Sequence, residues 1–349
     1  MQKRKWTRAR GQTISARRAA LIIGLLFAAL IVLFLFSFVL GRYDVPVTQV
    51  ARILLAQVFP LDETWAANME AVVVNIRLPR ILLACMVGAA LSLAGAAYQS
   101  VFQNPMAAPD ILGASSGACF GAALAILLAL PRGGVTSMAF IASMVTVALV
   151  YLIGMRTRGS RAVGILLAGV MVSSLFSSGT SYIKLVADPT DQLPEITYWL
   201  MGSLSGARLS DIGFALIPML LGAAPLLLAR WRINILTLGD EEAATLGVNT
   251  GLLRLVVVLS ATLLTAASVA VSGMIGWVGL VIPHLSRKLV GNDCRYLLPT
   301  AMIMGAGFLL LGDNVSRNLL ATEIPIGILT AFVGAPFFIY LMTRRGNVL

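Results

Sequence analysis

Charge is what this sequence has least of. Only 12% of its 349 residues are charged, against 58% hydrophobic. A soluble chain of this length would need far more charge to cover its surface, so the soluble classes are excluded. Histidine occurs once, as His284, and the three cysteines, Cys85, Cys119 and Cys294, have no CxxC spacing. Neither a metal site nor a disulfide framework is indicated. Lysine occurs four times and never after glycine, so no G-x-x-x-x-G-K-[ST] phosphate loop exists and no ATPase site of the chain's own is expected. No nucleophile–base constellation is present, so the chain is expected to catalyse nothing and to bind no cofactor. The apolar runs lack the Asp, Glu, Lys and Arg clusters of a proton- or sodium-coupled pump. Alternating ten-residue segments are missing too, which excludes a transmembrane barrel.

What is present is apolar sequence in runs of about twenty, the length that crosses a bilayer. Ten spans are expected, at 19–40, 80–101, 111–130, 135–155, 162–183, 210–229, 254–275, 276–290, 297–316 and 325–342. The fold class is an all-α polytopic membrane protein. One transmembrane domain covers 19–345 behind a basic tail, 1–18. The net charge of +11 is uneven, with Lys3, Arg4, Lys5, Arg8, Arg10, Arg17 and Arg18 all in that tail. Such a tail marks a cytoplasmic N-terminus and contact with anionic lipid, and not nucleic acid. Arg156, Arg158, Arg161, Arg230, Arg232, Arg254, Arg287, Lys288, Arg295, Arg344 and Arg345 fall on the same side in a ten-span arrangement. Both termini are then cytoplasmic in a multi-pass plasma-membrane protein.

Between the sixth and seventh spans lies Thr237-Leu-Gly-Asp-Glu-Glu-Ala-Ala-Thr-Leu-Gly-Val-Asn249. Asp240 reads as an N-cap, with Glu241 and Glu242 in the first turn, and Gly247 stands where a helix stops. The expected product is a short rigid helix off the membrane that offers Ala243, Ala244 and Leu246 to a soluble partner. An ordinary capped connector is the plain alternative. If transport is uphill, energy has to enter from another subunit, and this helix is the best cytoplasmic surface for it.

Other stretches add detail. Arg77-Leu-Pro-Arg80 closes the long first outer loop, with Pro79 suited to a first helical turn. Both arginines are expected near the outer surface, facing lipid headgroups or a partner's carboxylates. Val47–Phe59 has the helical spacing of an interfacial segment. The second span carries Ala84, Gly88, Ser92 and Gly95 as a small-residue stripe, which places it centrally in the bundle. Gln103-Asn-Pro-Met-Ala-Ala-Pro-Asp-Ile-Leu-Gly113 is an irregular loop. The fifth span is rich in hydroxyls, with Ser173, Ser174, Ser177, Ser178 and Ser181 beside Thr180. They either bond back to their helix or wall a wet path for a large, weakly held cargo. Residues 196–206 read as an interfacial helix. His284 is expected to be structural, satisfying the carbonyl freed by Pro283. Asp313 and Arg317 are spaced for an ion pair. Arg80 to Pro109 and Arg254 to Pro283 have equal separations, a faint inverted repeat.

Seven stretches in order, RLPR (77–80), QNPMAAPDILG (103–113), YWLMGSLSG (198–206), LGDEEAATLGV (238–248), GWVGLVIPHLSR (276–287), GDNVSR (312–317) and EIPIG (323–327), give a resemblance over residues 20–345. The chain resembles the permease subunits of bacterial ABC importers for iron–siderophores, haem and vitamin B12. The resemblance implies the type II importer permease fold in a dimer, with a second permease subunit that is an identical copy or a close paralogue. It implies two cytoplasmic ATPase subunits, which use ATP and Mg, and a periplasmic or lipid-anchored substrate-binding protein. It implies ATPase coupling by Leu238, Gly239, Asp240, Glu241, Glu242, Ala243, Ala244, Leu246 and Gly247. It implies docking of the binding protein on Arg77, Arg80 and Arg317, and a gate at Asn104 and Met106. By position it puts Ser173, Ser174, Ser177 and Ser178 in the pathway wall.

Overall fold

The computed structural model describes residues 14–60, 62–157 and 161–343, and among these all regular structure is helical. In chain order the helices are α1 (Ala16–Ser37), α2 (Val47–Ala56), α3 (Ala67–Glu70), a π-helical segment (Ala71–Arg77), α4 (Leu78–Val101), a 3-10 turn (Pro109–Leu112) and α5 (Ala114–Leu127). They continue as α6 (Arg132–Arg156), α7 (Arg161–Val186), α8 (Gln192–Leu200), α9 (Leu209–Leu228), α10 (Arg230–Leu236) and α11 (Asp240–Thr245). The last four are α12 (Thr250–Ser272), α13 (Val278–Val290), α14 (Cys294–Asn318) and α15 (Ile326–Thr343). Lys3, Arg4, Lys5, Arg8, Arg10, Arg158, Arg344 and Arg345, which carry much of the charge bias, lie outside the described residues.

Among the described residues, seven helices are long and apolar enough to cross a membrane: α1, the continuous Ala67–Val101 run, α6, α7, α9, α12 and α14. Of the other three expected spans, α5 and the Ile326–Tyr340 stretch of α15 appear as shorter apolar helices, while α13 is a short helix with a basic last turn. Of these, α5 has 14 residues and α13 has 13. Non-helical backbone at 273–277 and Gly291, at φ 77°, bound α13 on its two sides.

The second span starts earlier than expected. Its helix runs back from Leu78 through the π segment to Ala67. Pro79 explains the wide turn, because it lacks an N–H and its ring crowds the carbonyl four residues back. Widening to π geometry accommodates that defect, and the Leu78 N–H reaches the Val73 carbonyl.

The central helix is α4, packed against α14, α12, α13 and α9, and buried from Val87 to Val101 at almost every residue. Its small-residue stripe sets the spacing. A Cβ on Gly88 would lie 2.2 Å from the Gly305 carbonyl oxygen of α14, and one on Gly95 would lie 1.8 Å from that of Gly279 in α13. Lacking a Cβ, these glycines let the helices approach backbone to backbone, where dispersion rather than water expulsion holds membrane helices together. Hydroxyls in this core bond back to their own helices: Ser100 to Ala96, Thr265 to Ala261 and Ser268 to Leu264, each carbonyl accepting.

Candidate functional site

Two ends of the bundle carry the polar features. At the first, α4 begins while α1 and α14 finish. Arg80 Nε donates to Asp313 Oδ1 at 2.7 Å, and its Nη1 donates to both Glu323 oxygens at 2.8 and 3.0 Å. The Arg317 guanidinium meets the other Asp313 oxygen at 3.1 Å, so the expected pair is there, within a larger network. Arg317 also donates to Asn314, and Asn314 Nδ2 donates to Ser37 Oγ at 2.7 Å. Arg77 donates to the carbonyls of Phe38, Val39 and Tyr43. The network ties together α1, α4, α14 and the 319–325 segment.

This geometry corrects the outward-facing arginines. Arg77, Arg80 and Arg317 are 3%, 4% and 7% exposed. A guanidinium withdrawn from water is costly unless paired, and Asp313, Glu323 and the α1 carbonyls supply the pairing. Cations that are exposed at this end include Arg42 and Arg208. Arg42 donates to the carbonyls of Arg317 and Leu320 at 3.1 and 2.6 Å.

At the opposite end the chain turns sharply after α4. Gln103 adopts φ 47°, and its Nε2 donates to the Leu236 carbonyl at 2.9 Å, which ties the turn to α10. Asn104 Oδ1 accepts the Met106 N–H at 2.9 Å, an Asx turn that fixes the loop. The Met106 side chain is exposed.

Beside this turn stands α11. The N-cap is Gly239, not Asp240, and the helix covers six residues. Gly239 has φ 126°, a conformation that suits glycine, so the turn uses the position before the acids and moves Asp240 into the first helical turn. Ala243 is also corrected: it is wholly buried against the chain and anchors the helix. The outward set is Leu238, Glu241, Glu242, Ala244, Thr245 and Leu246, with Leu238 and Leu246 each 61% exposed. Gly247, at φ 78°, ends the helix in the left-handed region.

The serines of α7 divide. Ser174, Ser177 and Ser178 are exposed, while Ser173 is half-buried, its Oγ without a hydrogen-bond partner among the described residues and facing Gly113. Ser174, Ser178 and Ser181 donate to the carbonyls of Val170, Ser174 and Ser177 at 2.9 to 3.0 Å. Back-bonding removes most of their polarity from the surface, and the same face carries exposed Leu167, Met171 and Leu185. A cavity of about 520 Å³, walled by Met201, Met274, Trp277, Leu280 and Ile328 with Asp110 on its edge, lies among the 3-10 turn, α8 and α15 and does not include these serines.

The chain matches the model of the FecCD transport family over residues 29–344. The chain belongs to the FecCD transport family. The molybdate import system permease protein MolB of Haemophilus influenzae is 40% identical over 320 residues, covering 91% of this chain and 94% of that protein. The cobalamin import system permease protein BtuC of Halobacterium salinarum is 41% identical over 292 residues, covering 83% and 78%. A solved metal-chelate type ABC transporter in an inward-facing conformation has a TM-score of 0.83 at 39% identity, covering 93% of this chain and 99% of that one.

As a FecCD permease of an ABC importer, the protein is a membrane transport component and not an enzyme. Gln99 has a structural role that no local sequence pattern marks. Pro283 has no N–H, which frees the Gly279 carbonyl, and His284 was the expected donor. Gln99 takes the role instead, its Nε2 donating to Gly279 and Leu280 at 3.4 and 3.3 Å. Its one trace in the sequence is a carboxamide set in an otherwise small and apolar span.

Proposed function

We propose that this permease forms the translocation path for an iron chelate, a siderophore complex, delivered by a substrate-binding protein and driven by two ATPase subunits. The observation that carries the reading is α11. It is short, acidic and exposed at Leu238 and Leu246, and Ala243 fixes it to the bundle. A partner pushing on such a helix moves the helices behind it. The Gln103 end is cytoplasmic in this reading, since Arg17, Arg18, Arg156, Arg230, Arg232, Arg287, Lys288 and Arg295 belong to it. The short helices α5 and α13, together with α15, then lie at membrane depth beside the seven long ones, which makes ten spans in this reading.

The exposed face of α7, with Ser174, Ser177 and Ser178 among Leu167 and Met171, would look across the path toward a second permease subunit. Back-bonded hydroxyls and apolar groups grip a large chelate weakly, so affinity resides in the binding protein. Asn104 and Met106 gate the inner end. Arg77, Arg80 and Arg317 shape the outer docking face from beneath, and Arg42 and Arg208 offer charge at its rim.

Reconstitution tests this. Proteoliposomes with the permease, the co-encoded ATPase and the receptor should accumulate labelled ferric siderophore only with ATP and Mg inside. Uptake by the permease alone would contradict the proposal. A second reading, molybdate as cargo, is favoured by the Haemophilus relative, which matches 91% of the chain. It prevails if the co-encoded receptor retains molybdate and not the chelate.

A further inference from the structure

The Gln103 end also holds a cavity of about 590 Å³, opening between the C-terminal ends of α4 and α13. Its volume falls in the range of small-molecule sites. Its charged lining is Arg287 and Lys288, both positive, with His284 beside them and no Asp or Glu among the lining residues. The rest includes a group of carboxamides, Gln99, Gln103, Asn104 and Asn292.

Arg287 is half-buried, donates to Gln99 Oε1 and forms no ion pair among the described residues. The acid nearest in sequence, Asp293, is taken by Arg295 at 2.6 to 3.1 Å. His284 Nε2 is buried and has no hydrogen-bond partner among the described residues. Asn104 has its oxygen occupied by Met106, which leaves its amide group to donate. The half-buried Arg287 guanidinium and the exposed Lys288 ammonium at the same hollow repel each other, and an anion between them relieves that cost. Simple opposition to the dipole at the C-terminus of α13 would account for the sign of Arg287 and Lys288. It does not account for the amide groups of Asn104 and Asn292 lining the same hollow, nor for the His284 nitrogen that has no hydrogen-bond partner among the described residues.

We propose that this cavity binds a tetrahedral oxyanion, either free or carried on a phosphorylated headgroup. The Arg287 fork supplies the directional contacts, Lys288 a point charge, and Asn104 and Asn292 amide donors. Thr237, which leads into α11, is part of the lining, so occupancy bears on that segment. The inference stands on the cavity and not on the cargo, and binding is read without transport, so either proposal can fail alone.

The test uses the full chain purified in a neutral detergent at constant ionic strength. Inorganic phosphate, sulfate and molybdate are titrated against chloride, with thermal unfolding as the readout. A second arm places the chain in nanodiscs of phosphatidylcholine with or without phosphatidylglycerol. The expected result is a saturable rise in unfolding temperature with oxyanion. Lys288→Gln should weaken it about tenfold, as the loss of one charged contact does, Arg287→Gln should remove it, and Lys184→Gln should leave it unchanged. Should Arg287→Gln fail to fold, Lys288→Gln decides, since that side chain is exposed. A response confined to phosphatidylglycerol and lost in the variants assigns the oxyanion to a lipid headgroup. A response equal in chloride, or undiminished in the variants, means an adventitious ion only and overturns the proposal. Silence in both arms overturns it as well.

Discussion

Arg80 and Asp313 meet at 2.7 Å across 233 positions of sequence, both nearly sealed from solvent. Each makes the other tolerable in a place where neither is stable alone. Asp313→Ala leaves Arg80 and Arg317 without their shared acid and should cost about 3–5 kcal/mol. Glu323→Gln should cost only about 1 kcal/mol, because that carboxylate is partly exposed and its pairing is screened. Thermal unfolding followed by size exclusion measures both. Equal losses in the two variants would contradict the ranking.

Close helix approach is a separate matter of shape. Gly88→Ala would put a methyl 2.2 Å from the Gly305 carbonyl oxygen and 2.8 Å from Leu309 Cβ. No flexible side chain is there to yield, so α4 and α14 must part, at about 1–3 kcal/mol. Gly24→Ala, with nothing within 4 Å of the added methyl, should stay within about 1 kcal/mol of the parent. The same unfolding assay reads the contrast.

These two relationships also show what sequence could and could not reveal. The α4 stripe was legible because small residues recur at helical spacing, and spacing is local. The Arg80–Asp313 pair was not, since nothing local links positions 80 and 313. The RLPR stretch looked outward only because its acids lay far away in the chain. Helix lengths misled for a similar reason. Hydropathy alone cannot see that Pro79 is absorbed by a π turn, which extends one helix back to Ala67. The span expected at 276–290, by contrast, lies within two residues of α13. In α11 the helix itself was readable from Gly239 through Gly247. The inward turn of Ala243 was not, because the side of a six-residue helix that faces the bundle depends on α10 and α12.

Acid should loosen the entry to α8. Asp188 Oδ1 accepts from the Thr190 hydroxyl at 2.5 Å and from the Thr190 and Asp191 amides at 2.8 and 3.1 Å. These bonds favour the charged form and hold the Asp188 carboxyl below the usual carboxylate range. The folded group therefore binds its proton less readily than the unfolded chain does. Its stabilising contribution is complete above the unfolded value of about 3.9 and is lost as pH falls through the folded value. Amide exchange at Thr190 and Asp191, corrected for intrinsic rates, should show protection that is level above that range and declines below it. Protection that increases on acidification would contradict the assignment.

The two faces of α11 should respond in opposite ways. Ala243→Asp places a charge in a fully buried position and should reduce the amount of folded protein. Leu246→Asp alters an exposed residue and should leave folding intact while weakening ATPase co-purification by about tenfold, in line with the loss of one apolar anchor. Loss of folding in both variants would remove the distinction between anchor and contact surface.

The most direct measurement of the central claim places a thiol at Leu246, with Cys85, Cys119 and Cys294 replaced by Ala. A membrane-impermeant maleimide is then applied to inverted and to right-side-out vesicles, with and without the ATPase subunits. Labelling from the cytoplasmic side, blocked when the ATPase is bound, is the result expected of a conduit driven through α11. Labelling from the outer side, or labelling that the bound ATPase does not reduce, would contradict it.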